Sequence, residues 1–259
     1  MSSRFGTSDS DITDHEFSPE LLHSRLVQVR ESVARACLSC ARDPNSVTLV
    51  GVSKTKPLEA IEAAARFGLQ DFGENYIQEA KLKAEHFPDL KWHLIGHIQK
   101  NKVHTAAQIA TVIHSLDSAE LIRRLERSCA EQGRVVSGLI QVRLGHELTK
   151  SGVDPEDLFS LLDELRAADL HYLRLVGLMT IPPPAPSSEG NRPHFRRLRQ
   201  LLEEIVARRY PFWSGQELSM GMSGDYQVAI EEGATYVRVG RAIFGDRNYK
   251  KLRTGVECV

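Results

Sequence analysis

The stretch SVTLVGVSKTKP, residues 46–57, decides how this chain folds. Its first half is apolar and rich in β-branched residues, which predicts a strand buried on both faces. The strand ends in a polar turn that carries Lys54, and Pro57 opens the next helix. A lysine at the carboxyl end of a core strand is partly desolvated, so its ammonium form is disfavoured and a nucleophilic amine results. A solvated turn lysine is the ordinary alternative, and the stretch alone leaves both interpretations open.

Outward from this stretch, apolar strands and helices alternate along the chain, and GEN at 73–75 predicts a turn. The predicted strands cover residues 47–52, 69–72, 91–95, 111–116, 136–142, 173–181, 217–221 and 235–240. The predicted helices cover 58–67, 76–87, 100–108, 118–132, 155–168 and 192–209, with another beginning within 222–233 and an extra N-terminal one over 19–41. Eight strand–helix units in 259 residues predict an α/β chain that forms a single closed (β/α)8 TIM barrel. An open doubly wound sheet is the alternative, but its GxGxxG fingerprint is absent after the first strand.

The composition is that of an ordinary globular protein. With 33 Lys and Arg against 34 Asp and Glu, the net charge is −1, so no overall field attracts nucleic acid or an anionic membrane. No apolar run approaches the roughly 18 residues that indicate a transmembrane helix. Residues 1–16 lack the apolar core of a signal peptide and have too many acids for a transit peptide. We therefore expect a disordered leader over 1–16, a barrel over 17–259 and a cytoplasmic location.

The four cysteines indicate a reducing compartment, because they are too few and too scattered for a disulfide framework. Cys37 and Cys40 form a CxxC pair, a spacing found in redox motifs and in zinc sites. The pair lies inside the helical pattern of residues 19–41, with no preceding strand and no second CxxC. We therefore expect ordinary helical i, i+3 spacing there and no metal site.

Two further patterns have structural explanations. His93 and His97 are four apart, but in a predicted strand that spacing separates them by about 13 Å, too far for one zinc ion. We expect the core to satisfy His93. The basic run RPHFRRLR, residues 192–199, contains one aromatic residue and is followed by Glu203 and Glu204, which argues against nucleic-acid binding.

Residues suited to binding gather where the predicted strands end, which is where a barrel places its site. They are Lys54, Asn75, His97, Arg143, Met179, Thr180, Arg238 and Gly240. Barrels commonly bind phosphate with the loops after the seventh and eighth strands. Here SMGMSGD at 219–225 offers glycine amides and the Ser223 hydroxyl at a helix start, and VGRA at 239–242 offers Gly240. The proline-rich segment 182–193 is expected to form an extended loop on the same rim.

Six motifs in this order, GVSKTKP, FGENYIQE, WHLIGHIQKNK, GLMTIP, LSMGMSGD and VRVGRAIFG, resemble the pyridoxal phosphate homeostasis protein family. That family shares its fold type with the N-terminal domain of alanine racemase, and the resemblance spans about residues 47–249. It implies a single-domain barrel that holds pyridoxal 5′-phosphate (PLP) as an internal aldimine. The implied cofactor contacts are Lys54, Asn75, Met220, Ser223, Arg238, Gly240 and Arg241.

Within this resemblance, Lys54 matches the family's Schiff-base lysine and Lys56 is its nearest competitor. In an extended segment the side chains of residues i and i+2 share a face, so geometry alone does not exclude Lys56. The motif match and the proximity to the strand end favour Lys54. Ser223 and the backbone of Gly240 and Arg241 match the family's phosphate contacts.

Arg238 matches the family's arginine that faces the pyridine nitrogen. Because a guanidinium is effectively always protonated, it keeps that nitrogen unprotonated and leaves the ring a weak electron sink. Racemisation also needs a second base, which alanine racemase takes from a C-terminal domain, and we expect none because the sequence ends at Val259, soon after the last barrel element. The resemblance therefore implies a PLP-binding protein of intracellular PLP homeostasis and not an enzyme.

Two other functions stay open at this point. One is a small amino-acid racemase or lyase that works through the same aldimine. The other is a phosphate-ligand barrel enzyme in which Lys54 is an aldolase-type base. The expected partners are PLP and PLP-dependent apoenzymes, with no nucleic acid, membrane or metal, and we expect a monomer.

Overall fold

The computed structural model describes residues 18–145 and 151–246. Within these ranges, eight parallel strands close into a barrel in which each strand pairs with the next in chain order. The strands are β1 Thr48–Val52, β2 Asp71–Glu74, β3 Lys91–Leu94, β4 Val112–Leu116, β5 Val136–Gln141, β6 Leu173–Met179, β7 Trp213–Ser219 and β8 Tyr236–Val239. Because β8 pairs back with β1, the predicted closed (β/α)8 barrel is confirmed. The expected leader over 1–16 lies outside the described residues.

Helices alternate with these strands, and one precedes the barrel. They are α1 Pro19–Ser39, α2 Leu58–Arg66, α3 Ile77–His86, α4 Val103–Ile109, α5 Ala119–Glu131, α6 Leu158–Glu164, α7 Arg192–Arg208, α8 Tyr226–Glu231 and α9 Arg241–Phe244. Helix α1 begins after Ser18, whose hydroxyl accepts a hydrogen bond from the Leu21 amide, and Pro19 occupies its first turn. It packs against α2, α8 and α9, so the extra N-terminal helix covers the side of the barrel where β1 meets β8.

The main differences from the predicted strands are in β2 and β7. The GEN segment, predicted as a turn, instead contributes Gly73 and Glu74 to β2, because both residues pair with β3. Strand β7 begins at Trp213 rather than at residue 217, because Trp213 pairs with Leu175 of β6. Half-buried and exposed residues alternate through the first part of β7, so a search for apolar runs does not detect it.

Helix α6 is shorter than the predicted range of 155–168. At its end, the amide of Leu165 bonds to the carbonyl of Leu162 and the amide of Arg166 to that of Asp163. These i, i−3 bonds close the helix with a tighter last turn. The helical pattern of the sequence therefore continues past the point at which the α-helix ends.

The core of the described residues has two parts. Most buried apolar side chains form one cluster between the strands and the helices. A second, small cluster of Val112, Leu139 and Met179 lies apart from it, and strand alternation places it inside the barrel. Buried polar side chains share this interior: His93, His114, Ser219 and Arg238. The interior below the strand ends is therefore polar to an unusual degree.

The basic run of residues 192–199 lies on α7, where it is neutralised from within. Arg192, Arg196 and Arg199 all donate hydrogen bonds to the carboxylate of Glu232. Glu232 follows α8 and is buried. Because these arginines are occupied by an internal carboxylate, the structure favours the structural explanation of the run over nucleic-acid binding.

The CxxC pair occupies the end of α1. Cys37 is buried, and the Sγ of Cys40 donates to the carbonyl of Ala36 at 3.2 Å. Cys37 lies in the last turn of α1 and Cys40 is the residue that caps it, so the predicted helix ends one residue before the second cysteine. Each cysteine in the described ranges is a free thiol. Across the same ranges, no group of three or more His, Cys, Asp or Glu side chains could hold a metal ion. Nor does any helix there combine the length and apolarity needed to cross a membrane.

Candidate functional site

The turn after β1 has a conformation that the sequence did not predict. Thr55 has φ +65°, in the left-handed region that β-branched residues rarely adopt. The amide of Lys56 bonds back to the carbonyl of Ser53 at 3.0 Å and closes the turn. The segment is therefore not extended, and the assumption that Lys54 and Lys56 share a strand face is wrong. Strained backbone of this kind is often found at functional sites.

Lys56 is held by the segment that follows β8. Its Nζ donates to the carbonyl oxygens of Phe244 at 2.9 Å, Gly245 at 3.3 Å and Asp246 at 2.9 Å. Three acceptors match the three N–H donors of an ammonium group. Lys56 is therefore stabilised as a cation, and losing its proton would weaken these contacts. These contacts argue against Lys56 as the reactive amine.

A buried ion pair supports the turn from below. The Nζ of Lys83 on α3 donates to Glu74 Oε1 at 2.6 Å, to Glu79 Oε1 at 2.7 Å and to the Ser53 carbonyl at 2.8 Å. The Ser53 hydroxyl also donates to Glu74, and Glu79 accepts the Thr55 amide at 2.6 Å. Both neighbours of Lys54 are thus anchored to the same network.

Glu74 is the most perturbed carboxyl group of this network. Burial raises its pKa to about 7, although the nearby Lys83 ammonium and the hydrogen bonds from Lys83 and Ser53 act to lower it. Its second carboxylate oxygen is buried without a partner in the described residues. The sequence analysis assigned Glu74 to a turn and did not single out Lys83, because their contact depends on the packing of α3 against the barrel.

A cavity of about 870 Å³ opens at the carboxyl ends of the strands, beside Lys54. This volume lies in the usual range for small-molecule sites, roughly 300–1,000 Å³. The cavity lining includes Lys54, Asn75, Ser223, Arg238, Gly240 and Arg241, six of the seven residues that the sequence proposed. Pro182, Pro183 and Pro184 form part of its wall, so the proline-rich segment lies on the rim as predicted.

Met220, the seventh proposed residue, does not line the cavity. Its side chain is fully buried in the main hydrophobic cluster outside the barrel. Alternation along the chain explains this, because Ser219 points into the barrel and the next residue points out of it. Gly221 then turns the backbone with φ +90°, and Met222 lines the cavity instead. The Met220 side chain therefore lies away from the cavity, and the predicted contact between Met220 and the cofactor stays a prediction.

The loop after β7 is built around close contacts and an open space. A Cβ on Gly221 would lie 2.6 Å from Ala229 Cβ, so only glycine fits there. Ser223 Oγ accepts a hydrogen bond from the Ala242 amide at 3.3 Å, which joins the loops after β7 and β8. Beside Gly224, in contrast, a Cβ would meet no atom within 4 Å. The two loops therefore surround open space with a hydroxyl and glycine backbone.

The Asp225 carboxylate fixes this loop. It accepts hydrogen bonds from the Met222 amide at 2.7 Å and from Asn191 Nδ2 at 2.7 Å. Asp225 lines the cavity, but both of its oxygens are engaged by the protein. The negative charge on this wall is therefore used to shape the loop.

Arg238 forms the cationic floor of the cavity. It is buried, and it donates from Nη1 to Ser219 Oγ at 2.6 Å and from Nη2 to the Thr180 carbonyl at 2.9 Å. Burial lowers its pKa to about 10, while the charge of Asp225 acts in the opposite direction. The guanidinium therefore remains protonated at neutral pH.

Four strand-end residues from the sequence analysis are absent from the lining of the large cavity: Met179, Thr180, Arg143 and His97. Arg143 forms two hydrogen bonds with Asp154, at 2.8 Å and 2.5 Å, and His97 lies 3.3 Å from Asp117. Both line a smaller, neighbouring cavity of about 230 Å³, which shares Asn75 with the large one. The carboxyl ends of the strands thus border two cavities, the large one beside Lys54 and the smaller one beside Arg143 and His97.

The expectation that the core satisfies His93 is confirmed. Its Nε2 lies 2.9 Å from Asp71 Oδ1, and its Nδ1 lies 2.9 Å from His114 Nε2. The sequence analysis passed over Asp71 and His114. The available signal was a polar residue within each of three consecutive predicted strands, which is uncommon when strands are buried on both faces.

Comparison with known proteins agrees with this geometry. Residues 34–248 match the family described as the alanine racemase N-terminal domain. The "Pyridoxal phosphate homeostasis protein" of Aquifex aeolicus is 42% identical over 227 residues, which cover 87% of this chain and 98% of that protein. The protein of the same name in Escherichia coli K12 is 40% identical over 233 residues, covering 87% of this chain and 97% of that protein.

A solved structure extends the comparison from sequence to fold. PipY of Synechococcus elongatus, solved with PLP bound, is 37% identical and superposes with a TM-score of 0.75, covering 86% of this chain and all of that chain. Identity at this level over nearly the full length of several relatives is far above what a shared barrel alone produces. The chain belongs to the pyridoxal phosphate homeostasis protein family, built on the barrel of the alanine racemase N-terminal domain.

Proposed function

We propose that this protein binds PLP in the large cavity and serves the intracellular homeostasis of that cofactor, without turning over amino acids at a useful rate. The observation that carries the proposal is that Lys54, Ser223 and Arg238, from three distant parts of the chain, line one cavity of about 870 Å³. The names of the relatives and the PLP-bound structure of PipY support the same function.

The donor set fits the chemistry of PLP. The cofactor carries a phosphate, an aldehyde and a pyridine nitrogen, and the cavity offers a complementary group for each. Open space beside Gly224, the Ser223 hydroxyl and the backbone of Gly240 suit the phosphate. Arg238 presents guanidinium donors, which suit an unprotonated ring nitrogen.

Lys54 is the proposed point of covalent attachment. When bound, PLP supplies an aldehyde that condenses with an amine and a ring that can accept electrons. Lys54 is half-buried at the cavity wall, and the residues on both sides of it are held by the Lys83 network. The Nζ of Lys56 donates to three carbonyl oxygens, so Lys56 is a poor nucleophile toward the aldehyde.

The role of Arg238 supports a function without amino-acid turnover. A guanidinium donates hydrogen bonds and cannot supply the proton that would make the ring strongly electron-withdrawing. Carbanion chemistry on an amino acid is therefore weakly supported at this site. The relatives at about 40% identity carry the name of homeostasis proteins, which agrees with this argument.

The proposal has three further parts. The protein acts in the cytoplasm, it is a monomer, and it supplies PLP to PLP-dependent apoenzymes. Exchange of bound PLP with free PLP in solution is supported by the exposure of Gly224 and Arg241 at the cavity edge. A single barrel that contributes every proposed contact needs no second subunit to complete its site.

The test starts with the visible absorbance of purified protein mixed with PLP. Wild type should show the band of lysine-bound cofactor, Lys54→Ala should lose it, and Lys56→Ala, the matched control, should keep it. Borohydride reduction and peptide mapping then identify the labelled lysine. Label on Lys56, or a band that survives Lys54→Ala, would contradict the assignment.

A turnover assay tests the remaining half of the proposal. Holoprotein is incubated with each common L-amino acid, and racemised or cleaved products are quantified by chiral chromatography. We expect rates far below about 1 s⁻¹, the lower end of the ordinary enzyme range. A rate at or above that value on any amino acid would establish a racemase or lyase instead.

A further inference from the structure

A continuous line of hydrogen-bonding side chains crosses the inside of the barrel and ends at Arg238. Asp71 lies at the start of β2, where its Oδ1 is 2.9 Å from His93 Nε2 on β3. His93 Nδ1 is 2.9 Å from His114 Nε2 on β4. His114 Nδ1 is 2.7 Å from Ser219 Oγ at the end of β7, and Ser219 accepts from Arg238 on β8 at 2.6 Å.

With both histidines neutral, the groups at the two ends set the direction of these hydrogen bonds. A guanidinium only donates and a carboxylate only accepts. Arg238 donates a hydrogen bond to Ser219. The serine hydroxyl can therefore donate its own hydrogen bond to Nδ1 of His114. His114 then donates from Nε2 to Nδ1 of His93, which donates from its own Nε2 to Asp71. Every link is satisfied with both histidines neutral and with one tautomer each.

The line of hydrogen bonds from Asp71 also helps to compensate the buried positive charge of Arg238. This guanidinium is buried, and both of its hydrogen bonds within the described residues go to neutral oxygens, those of Ser219 and Thr180. A buried cation is costly unless other groups compensate its charge. Donors that all point away from Arg238 turn the negative end of each dipole toward it, and the Asp71 carboxylate completes the line.

The rings of this line have little freedom to move. Tyr236 packs edge-on against both imidazoles, with centroid distances of 5.7 Å to His93 and 5.4 Å to His114. His93, His114 and Ser219 are buried, and the Asp71 side chain is 16% exposed. Burial lowers the pKa of His114 well below its ordinary value, and the positive charge of Arg238 acts in the same direction, which agrees with a neutral ring.

We propose that Asp71, His93, His114 and Ser219 are positioning residues that aim Arg238 at the ligand, with both histidines neutral and protonated on Nε2. The inference rests on the proposed function, because it takes PLP as the ligand that Arg238 faces. It adds a role for the interior of the barrel, which reaches from the amino-terminal end of β2 to the floor of the cavity.

The first experiment reads the tautomers directly and needs no cofactor. Long-range ¹H–¹⁵N NMR of histidine-labelled full-length protein, without PLP, distinguishes the two neutral tautomers from the cation. The variants His93→Gln and His114→Gln assign the signals. We expect the Nε2–H tautomer for both residues at neutral pH. A cationic imidazolium at His93, or an Nδ1–H tautomer at His114, would overturn the proposed direction of the hydrogen bonds.

The second experiment measures the effect on the ligand. Ser219→Ala removes the acceptor of Arg238 with a small change in volume, so the affinity for PLP should fall at least about tenfold, the scale of one hydrogen bond to a charged group. Ser115→Ala is the matched control, because Ser115 is also buried but donates its hydrogen bond to the Gly96 carbonyl, which is not part of the line from Asp71 to Arg238. Its affinity should equal that of wild type. Thermal melting of both variants shows that the barrel is folded.

The two experiments separate this inference from the proposed function. If wild type binds PLP and Ser219→Ala binds it as tightly as Ser115→Ala, the positioning role is refuted and the proposed function stands. If wild type fails to bind PLP, the proposed function fails and the positioning role toward that ligand fails with it. In that case the tautomers still show whether the hydrogen-bond direction is right.

Discussion

Replacing Lys83 by methionine should reveal how much the buried network beneath the Lys54 turn stabilises the barrel. The Lys83 side chain is 3% exposed, and its ammonium contacts Glu74, Glu79 and the Ser53 carbonyl. Methionine keeps much of the aliphatic length but removes all three contacts. The Glu74 carboxyl, which is fully buried, then loses its nearest cation.

The expected cost follows from that uncompensated charge. Removing one partner of a buried ion pair typically destabilises a protein by about 3–5 kcal/mol. Glu74 already has a pKa of about 7 in the presence of Lys83, and without the ammonium that pKa should rise further. At low pH Glu74 takes up a proton and avoids the charge. The penalty should therefore be larger at pH 8 than at pH 5.5.

Urea unfolding of the protein without PLP measures the effect at both pH values. Lys81→Met is the matched control, because Lys81 lies on the same helix in an exposed pair with Glu85, and such pairs contribute about 1 kcal/mol or less. Adding Glu74→Gln to Lys83→Met should recover part of the loss at pH 8 by removing the buried charge.

The reasoning would be refuted by a Lys83→Met protein that unfolds within about 1 kcal/mol of the Lys81→Met control at pH 8. A penalty that does not change with pH would separately contradict the role given to Glu74. In the first case the turn around Lys54 would owe its conformation to other contacts.

Three further predictions follow from the same contacts. Ser223→Ala should weaken PLP binding by about 1–3 kcal/mol in calorimetric titration, which is the scale for a hydrogen bond to a charged group. Pyridoxal, which lacks the phosphate, should bind to the wild type far more weakly than PLP. Equal affinities for pyridoxal and PLP would remove the anion site from this loop. Gly221→Ala should lower the melting temperature, because its Cβ would lie 2.6 Å from Ala229 Cβ at φ +90°, and an unchanged value would contradict this. Because Glu74 has a pKa of about 7 when folded against 4.5 ordinarily, it contributes stability below pH 4.5 that is lost as pH rises through 7. The loss is about 3 kcal/mol, and Glu74→Gln should remove that part of the pH dependence in urea titrations.

The barrel and the location of its site could be predicted from the sequence because both depend on local patterns. Apolar runs of strand length alternate with helical periodicity, and parallel strands place their carboxyl ends at one edge. Lys54, Ser223 and Arg238 follow directly from that rule. The start of β7 does not, because Trp213 and its neighbours are not an apolar run and acquire their strand conformation by pairing with β6.

The details inside the site depend on tertiary contacts that a linear pattern does not contain. The positive φ of Gly221 decides that Met222 and not Met220 reaches the cavity. The left-handed Thr55 separates the environments of the two lysines around it. The line from Asp71 to Arg238 joins residues on five strands, and single strands offer only isolated polar residues as a sign of it.

The hydrogen bonds from Lys56 have a consequence for how the barrel closes. They link residues 188 to 190 apart in the sequence, across the seam where the first strand meets the last. Closing such a long loop costs chain entropy before its contacts form, so this seam should be the last part to fold and the first to open. Lys54 lies on one side of it and Gly240 on the other. A ligand that contacts both sides therefore acts as a clasp, and hydrogen exchange at the seam should slow in proportion to its occupancy.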